Sequence, residues 1–121
     1  MRQDDFNTFC AGLAATTHVV QWGGADVWKV GGKVFAIGGW NAGDSYAVTV
    51  KVSELMYEVL WDHQGCRPAP YLASRGMKWI QVCGPGGPEG AELADLILRS
   101  YDMIAAKLPK RVRVDLGLAV T

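Results

Sequence analysis

A chain of 121 residues, half of them hydrophobic and a fifth charged, has the size and apolar content of one globular domain, which excludes intrinsic disorder. Twelve Lys and Arg balance twelve Asp and Glu, for a formal net charge of zero. That balance argues against a uniformly basic nucleic-acid binder, because duplex affinity is largely phosphate neutralisation; only local segregation of charge would support one.

The N-terminal Met1–Asp5 lacks the cationic and then apolar order of a secretory signal, and no apolar run approaches the roughly 20 residues of a membrane helix. Cytoplasm is the expected compartment. Asp4 or Asp5 predicts the cap of a first helix ending by Ala15, in which Phe6, Phe9, Cys10 and Leu13 form one stripe at i, i+3, i+4 and i+7. From Thr17 to Val52 the residues turn to Val, Trp, Phe, Tyr, Ile and Thr with paired glycines, predicting four strands at about 18–22, 25–30, 33–39 and 45–52. Val30-Gly31-Gly32-Lys33 has the centre of a tight hairpin.

Ser53 predicts the cap of a second helix, 54–62, with Leu55, Met56, Val59 and Leu60 on its buried side. Residues 64–76 read as loop, Lys78–Cys83 as a fifth strand and Gly84–Pro88 as a break. A long helix from about 88 to 107 lines up Leu93, Leu96, Ile97, Ser100, Ile104 and Leu108, and Pro109 stops it. Beyond it Val112, Val114, Leu116, Leu118 and Val120 alternate, which suits an added strand, a docked arm or a frayed end. Residues 1–113 therefore read as the domain and 114–121 as its tail. The order predicts an α+β fold: two layers, a mainly antiparallel sheet of about five strands, three helices packed mainly on one face, and the other face open to solvent or a partner.

Charge is unevenly spread. From His63 to Pro88 there are three basic residues, Arg67, Arg75 and Lys78, and no acidic one. Lys29, Lys33 and Lys51 fall on the strands, and Lys107, Lys110, Arg111 and Arg113 near the C-terminus. Glu54, Glu58 and Asp62 run i, i+4, i+8 along the second helix, and Glu89, Glu92, Asp95 and Asp102 load the third. A neutral chain with an acidic helical side and a basic sheet side is the expectation, against the plainer one of solvated charges.

At this point the residues resemble the MmcQ/YjbR-like family. The resemblance runs from Phe6 to about Arg113. It is carried by Phe6-Asn7-x-Phe9, Trp22-Gly23, Trp28-Lys29-Val30-Gly31-Gly32-Lys33-Val34-Phe35-Ala36, Val50-Lys51, Arg67-Pro68-x-Pro70-Tyr71, Lys78-Trp79, Ser100-Tyr101 and Lys107-Leu108-Pro109-Lys110-Arg111. The resemblance implies a frataxin-like shape and a DNA-binding role attached to a "double-wing" arrangement, a label resting on structural analogy. Many relatives place a His before the tryptophan that matches Trp79; here that position is Lys78, so no role of such a histidine transfers. Under this reading Lys29, Lys33, Lys51, Arg75, Lys78, Lys110 and Arg111 meet phosphates, and Trp79 contacts a base or sugar.

Other constellations are weak. Cys10, Cys66 and Cys83 have no Cys-x-x-Cys spacing and read as reduced thiols; with His18 and His63 they lack the spacing of a zinc site. Gly31-Gly32-Lys33 lacks the spacing of a phosphate loop, and there is no Gly-x-Ser-x-Gly elbow. Most of the five tryptophans suit core or strand-edge packing, although an exposed pair would floor a small-ligand pocket. The sequence thus reads as a non-enzymatic protein without cofactor or metal, a monomer or weak homodimer whose partner is DNA. The alternative is a protein-interaction or small-ligand module using the open sheet face.

Overall fold

The computed structural model describes residues 1–40, 45–70, 72 and 76–118. Helix α1 (Gln3–Ala11) buries Phe6 and Cys10, with Phe9 and Leu13 half-buried beside them, as the stripe predicts. Strands β1 (Thr16–Gln21), β2 (Ala25–Val30) and β3 (Lys33–Gly38) then form an antiparallel meander. Gly31 and Gly32 turn the β2–β3 hairpin at φ 58° and 79°, the pair of left-handed residues that a type I′ turn requires. Next come β4 (Val48–Lys51), α2 (Glu54–Leu60), β5 (Cys66–Pro68), β6 (Trp79–Val82), α3 (Ala91–Ala106) and α4 (Lys110–Asp115). The sheet order is β1-β2-β3-β4-β6-β5, with every neighbouring pair antiparallel.

The main core lies between α1, α3 and the sheet face carrying Trp28, Val30, Val48, Val50, Ile80 and Val82. Trp28 faces Ala36 while Lys29 faces Val34, so Phe35 is the extra residue of a β-bulge. Both Phe35 and Ala36 enter the main core, and Phe35 meets the edge of the Tyr101 ring at 5.3 Å. Ser100 of α3 reaches into the sheet beside this bulge. Its Oγ donates to the Phe35 carbonyl at 2.6 Å and accepts from the Lys51 amide at 3.0 Å, filling a rung between β3 and β4. The Tyr101 hydroxyl donates to the Ala14 carbonyl and ties α3 to the end of α1.

Four expectations need correcting. The second sheet face is covered: Trp40 and Leu72 pack on Ala25, Val27 and Ile37, so no open sheet face remains there for a partner. Buried Gln81 donates to the Trp40 carbonyl and to Thr49 Oγ1, both at 3.1 Å, and accepts from Arg67 Nε at 2.8 Å. β5 is a sixth strand in what reads as loop; three residues have no period to detect, and Pro68 needs no ladder donor at a sheet edge. In α2 only Leu60 is fully buried, with Met56 and Tyr57 half-buried, whereas Leu55 is 77 % exposed and Val59 53 %. Met56–Leu60 and Leu55–Val59 are both i, i+4 pairs, so spacing alone does not select the inner one. The alternating tail begins as helix α4 rather than as a strand, because Val112 and Leu116 are also i, i+4 and pack together on the core. A boundary at 113/114 falls inside that helix, and 119–121 lie outside the described residues. No helix among the described residues is long and apolar enough to cross a membrane.

Candidate nucleic-acid interface

The β2–β3 hairpin end gathers most of the cations singled out above. Lys29 stands on β2 opposite Val34, and Lys33 opens β3 opposite Val30. Lys51 ends β4. The Leu108 side chain lies where a Cβ on Gly31 would sit, so the α3–α4 junction rests on the hairpin. Lys107, the C-cap of α3, and Lys110 and Arg111, the first turn of α4, come to the same end. Lys33, Lys107, Lys110 and Arg111 are exposed, and Lys29 and Lys51 half-buried.

Burial, and then repulsion from Lys107, hold the Lys51 ammonium below the ordinary lysine range. Among the described residues the ion pairs are His18–Asp26 at 2.9 Å and Arg99–Asp95 at 2.6 Å. None of the hairpin-end cations is therefore ion-paired with a carboxylate of the described residues.

Two further sequence-predicted residues, Lys78 and Trp79, adjoin Lys51 at this end of the sheet. The Lys78 carbonyl accepts from the Val52 amide at 2.9 Å, and its ammonium lies 4.6 Å from the centre of the Tyr57 ring of α2, a cation–π contact. Trp79 is only 4 % exposed, so its indole is core rather than a platform for a base or sugar; its position beside Lys78 placed it on the wrong side of the surface. Arg75 lies outside the described residues.

A second polar cluster escaped the sequence reading. Asp26 of β2 is 3 % exposed and accepts hydrogen bonds from Tyr46 Oη at 2.6 Å and from His18 Nε2 and Gln3 Nε2, each at 2.9 Å. Burial alone would raise this carboxyl, but the bonds from Tyr46, His18, Gln3 and Asn7 outweigh it and hold it below the usual range. Asn7 also accepts from Trp28 Nε1 at 2.8 Å, and the His18 and Trp28 rings lie 4.8 Å apart. The cluster pins α1 and Tyr46 onto β1 and β2. Its signal was a carboxylate inside the apolar run Ala25–Trp28, where an acid is rarely buried without partners.

Other reactive groups are muted. Burial pushes the Cys10 thiol up to about 12, and burial with Cys83 nearby pushes Cys66 up to about 11, so neither supplies a thiolate at neutral pH. Among the described residues no three of His, Cys, Asp and Glu come together as a metal cluster. Trp22, 52 % exposed, lies against Trp40 with ring centres 5.5 Å apart and planes tilted by 36°.

Fold and site together define a small α+β protein with a six-stranded antiparallel sheet and a positively charged hairpin end. The YjbR family model matches residues 11–103, and the chain belongs to the YjbR family. It is similar in fold to the crystal structure of protein DR2400 from Deinococcus radiodurans, described by its domain DUF419. The TM-score is 0.82 at 24 % identity, over 98 % of this chain and 89 % of that one. No curated protein matches the chain.

Proposed function

We propose that this protein binds DNA through its hairpin end, in a non-catalytic role. The observation that carries the reading is the crowding of Lys29, Lys33, Lys51, Lys107, Lys110 and Arg111, none of them paired with a carboxylate of the described residues, where burial and then Lys107 disfavour the charge on Lys51. A polyanion relieves that repulsion and releases its own counterions on binding. Membership of the YjbR family, whose resemblance carries a DNA-binding expectation, agrees with this reading.

The test is a duplex titration by fluorescence anisotropy. With roughly four to six phosphate contacts, affinity should fall by about two to three decades between ~50 and ~200 mM salt. Lys33→Ala, Lys110→Ala or Arg111→Ala should each weaken binding evenly across sequences and reduce the salt slope by about one. Weak binding that is flat across both salt concentrations sinks the proposal.

A further inference from the structure

We propose that the cleft between the end of β4, α2 and α3 binds a small amphiphilic monocarboxylate, with Lys51 as its counter-charge. The cleft has a volume of about 300 Å³. That lies at the lower end of the ~300–1,000 Å³ typical of ligand clefts and admits a small molecule but not a duplex. Val52, Met56, Leu96 and Met103 supply apolar walls, and the two methionines adapt readily to an alkyl or aryl body. Lys51, Arg99 and Asp102 supply the charge.

The charge count sets the ligand class. Arg99 Nε is already held by Asp95 at 2.6 Å. Lys51, Arg99 and the nearby Lys107 give three positive charges against two negative ones, Asp95 and Asp102, which leaves one in excess. Lys51 has no carboxylate partner among the described residues and is partly desolvated at the cleft, so an incoming carboxylate finds an unpaired ammonium beside an apolar wall. A dianionic phosphate would exceed that single charge and meet Asp102. A neutral hydrocarbon would leave Lys51 as it is.

The inference does not rest on the DNA reading, although Lys51 belongs to both surfaces; a failed duplex titration leaves it standing, and the reverse holds. Isothermal titration of the full chain with octanoate, octan-1-ol and acetate separates the two contributions. Octanoate should bind saturably at one site, at least about tenfold more tightly than either the alcohol or acetate. Lys51→Met should cost about tenfold and Lys51→Arg far less. Met56→Trp, which fills the cleft without changing charge, should abolish binding in a protein that still melts cooperatively. Equal affinity for octanoate and octan-1-ol, octanoate binding unchanged by Lys51→Met or Met56→Trp, or no saturable octanoate binding would each overturn the assignment.

Discussion

Asp26 shows how much of this molecule is decided by single side chains. One carboxylate receives hydrogen bonds from α1, β1 and Tyr46, and Asp26→Asn leaves those donors facing a neutral amide with a hydrogen-bearing end. Charge-assisted hydrogen bonds contribute about 1.5–3 kcal/mol each, so the substitution should cost about 2 kcal/mol or more near pH 7 by urea unfolding. The pH dependence has a definite sign. The folded-state pKa of Asp26 is depressed, so its stabilisation is fully present above the unfolded value of ~3.9 and is lost as pH falls through the folded value. The gap between wild type and Asp26→Asn should therefore narrow in acid; a gap constant from pH 7 to pH 2 contradicts this account. In the sequence Asp26 was visible only as an acid within an apolar strand, because its partners lie 8 to 23 residues away along the chain. Trp79 failed for a related reason: adjacency to a lysine says nothing of the direction of an indole on a pleated strand.

The elements were legible where a period had room to develop. The stripes of α1 and α3, and β2 and β3 either side of the glycine pair, emerge from the sequence nearly as the structure has them. Short elements did not. β5 is too brief for periodicity, and a run of alternating residues in α4 serves an i, i+4 face as well as a strand. The covered second face had left a trace: Ala25–Trp28 and Val34–Ile37 are nearly continuous apolar runs, the mark of strands buried on both sides rather than one. The hairpin offers a test at this scale. Gly31 combines φ 58° with a Leu108 methyl only 2.6 Å from where a Cβ would stand, so Gly31→Ala adds backbone strain to a steric clash. Thermal unfolding should show a loss of about 2–4 kcal/mol. A Gly32→Ala control, at φ 79° with open space around its Cβ, should cost less.

For the molecule as a whole, a net charge of zero conceals a positive end, and the sequence revealed the grouping better than its members. Lys29, Lys33, Lys51, Lys110 and Arg111 gather there with Lys107, while Lys78 turns to α2 and Trp79 to the core. Lys107→Gln relieves repulsion at Lys51 but also removes a cation from the C-terminal end of α3, so stability at low salt should stay within a few tenths of a kcal/mol while DNA binding weakens. Lower stability together with unchanged DNA affinity would contradict the electrostatic account. The Ser100 hydroxyl, meanwhile, makes α3 a member of the hydrogen-bonded ladder it covers, so the helix cannot lift away without unlatching two strands. Deuterium exchange at the Lys51 amide then becomes a gauge of whether α3 is seated. That proton should exchange at the rate of the α3 core amides, and Ser100→Ala should set it free first.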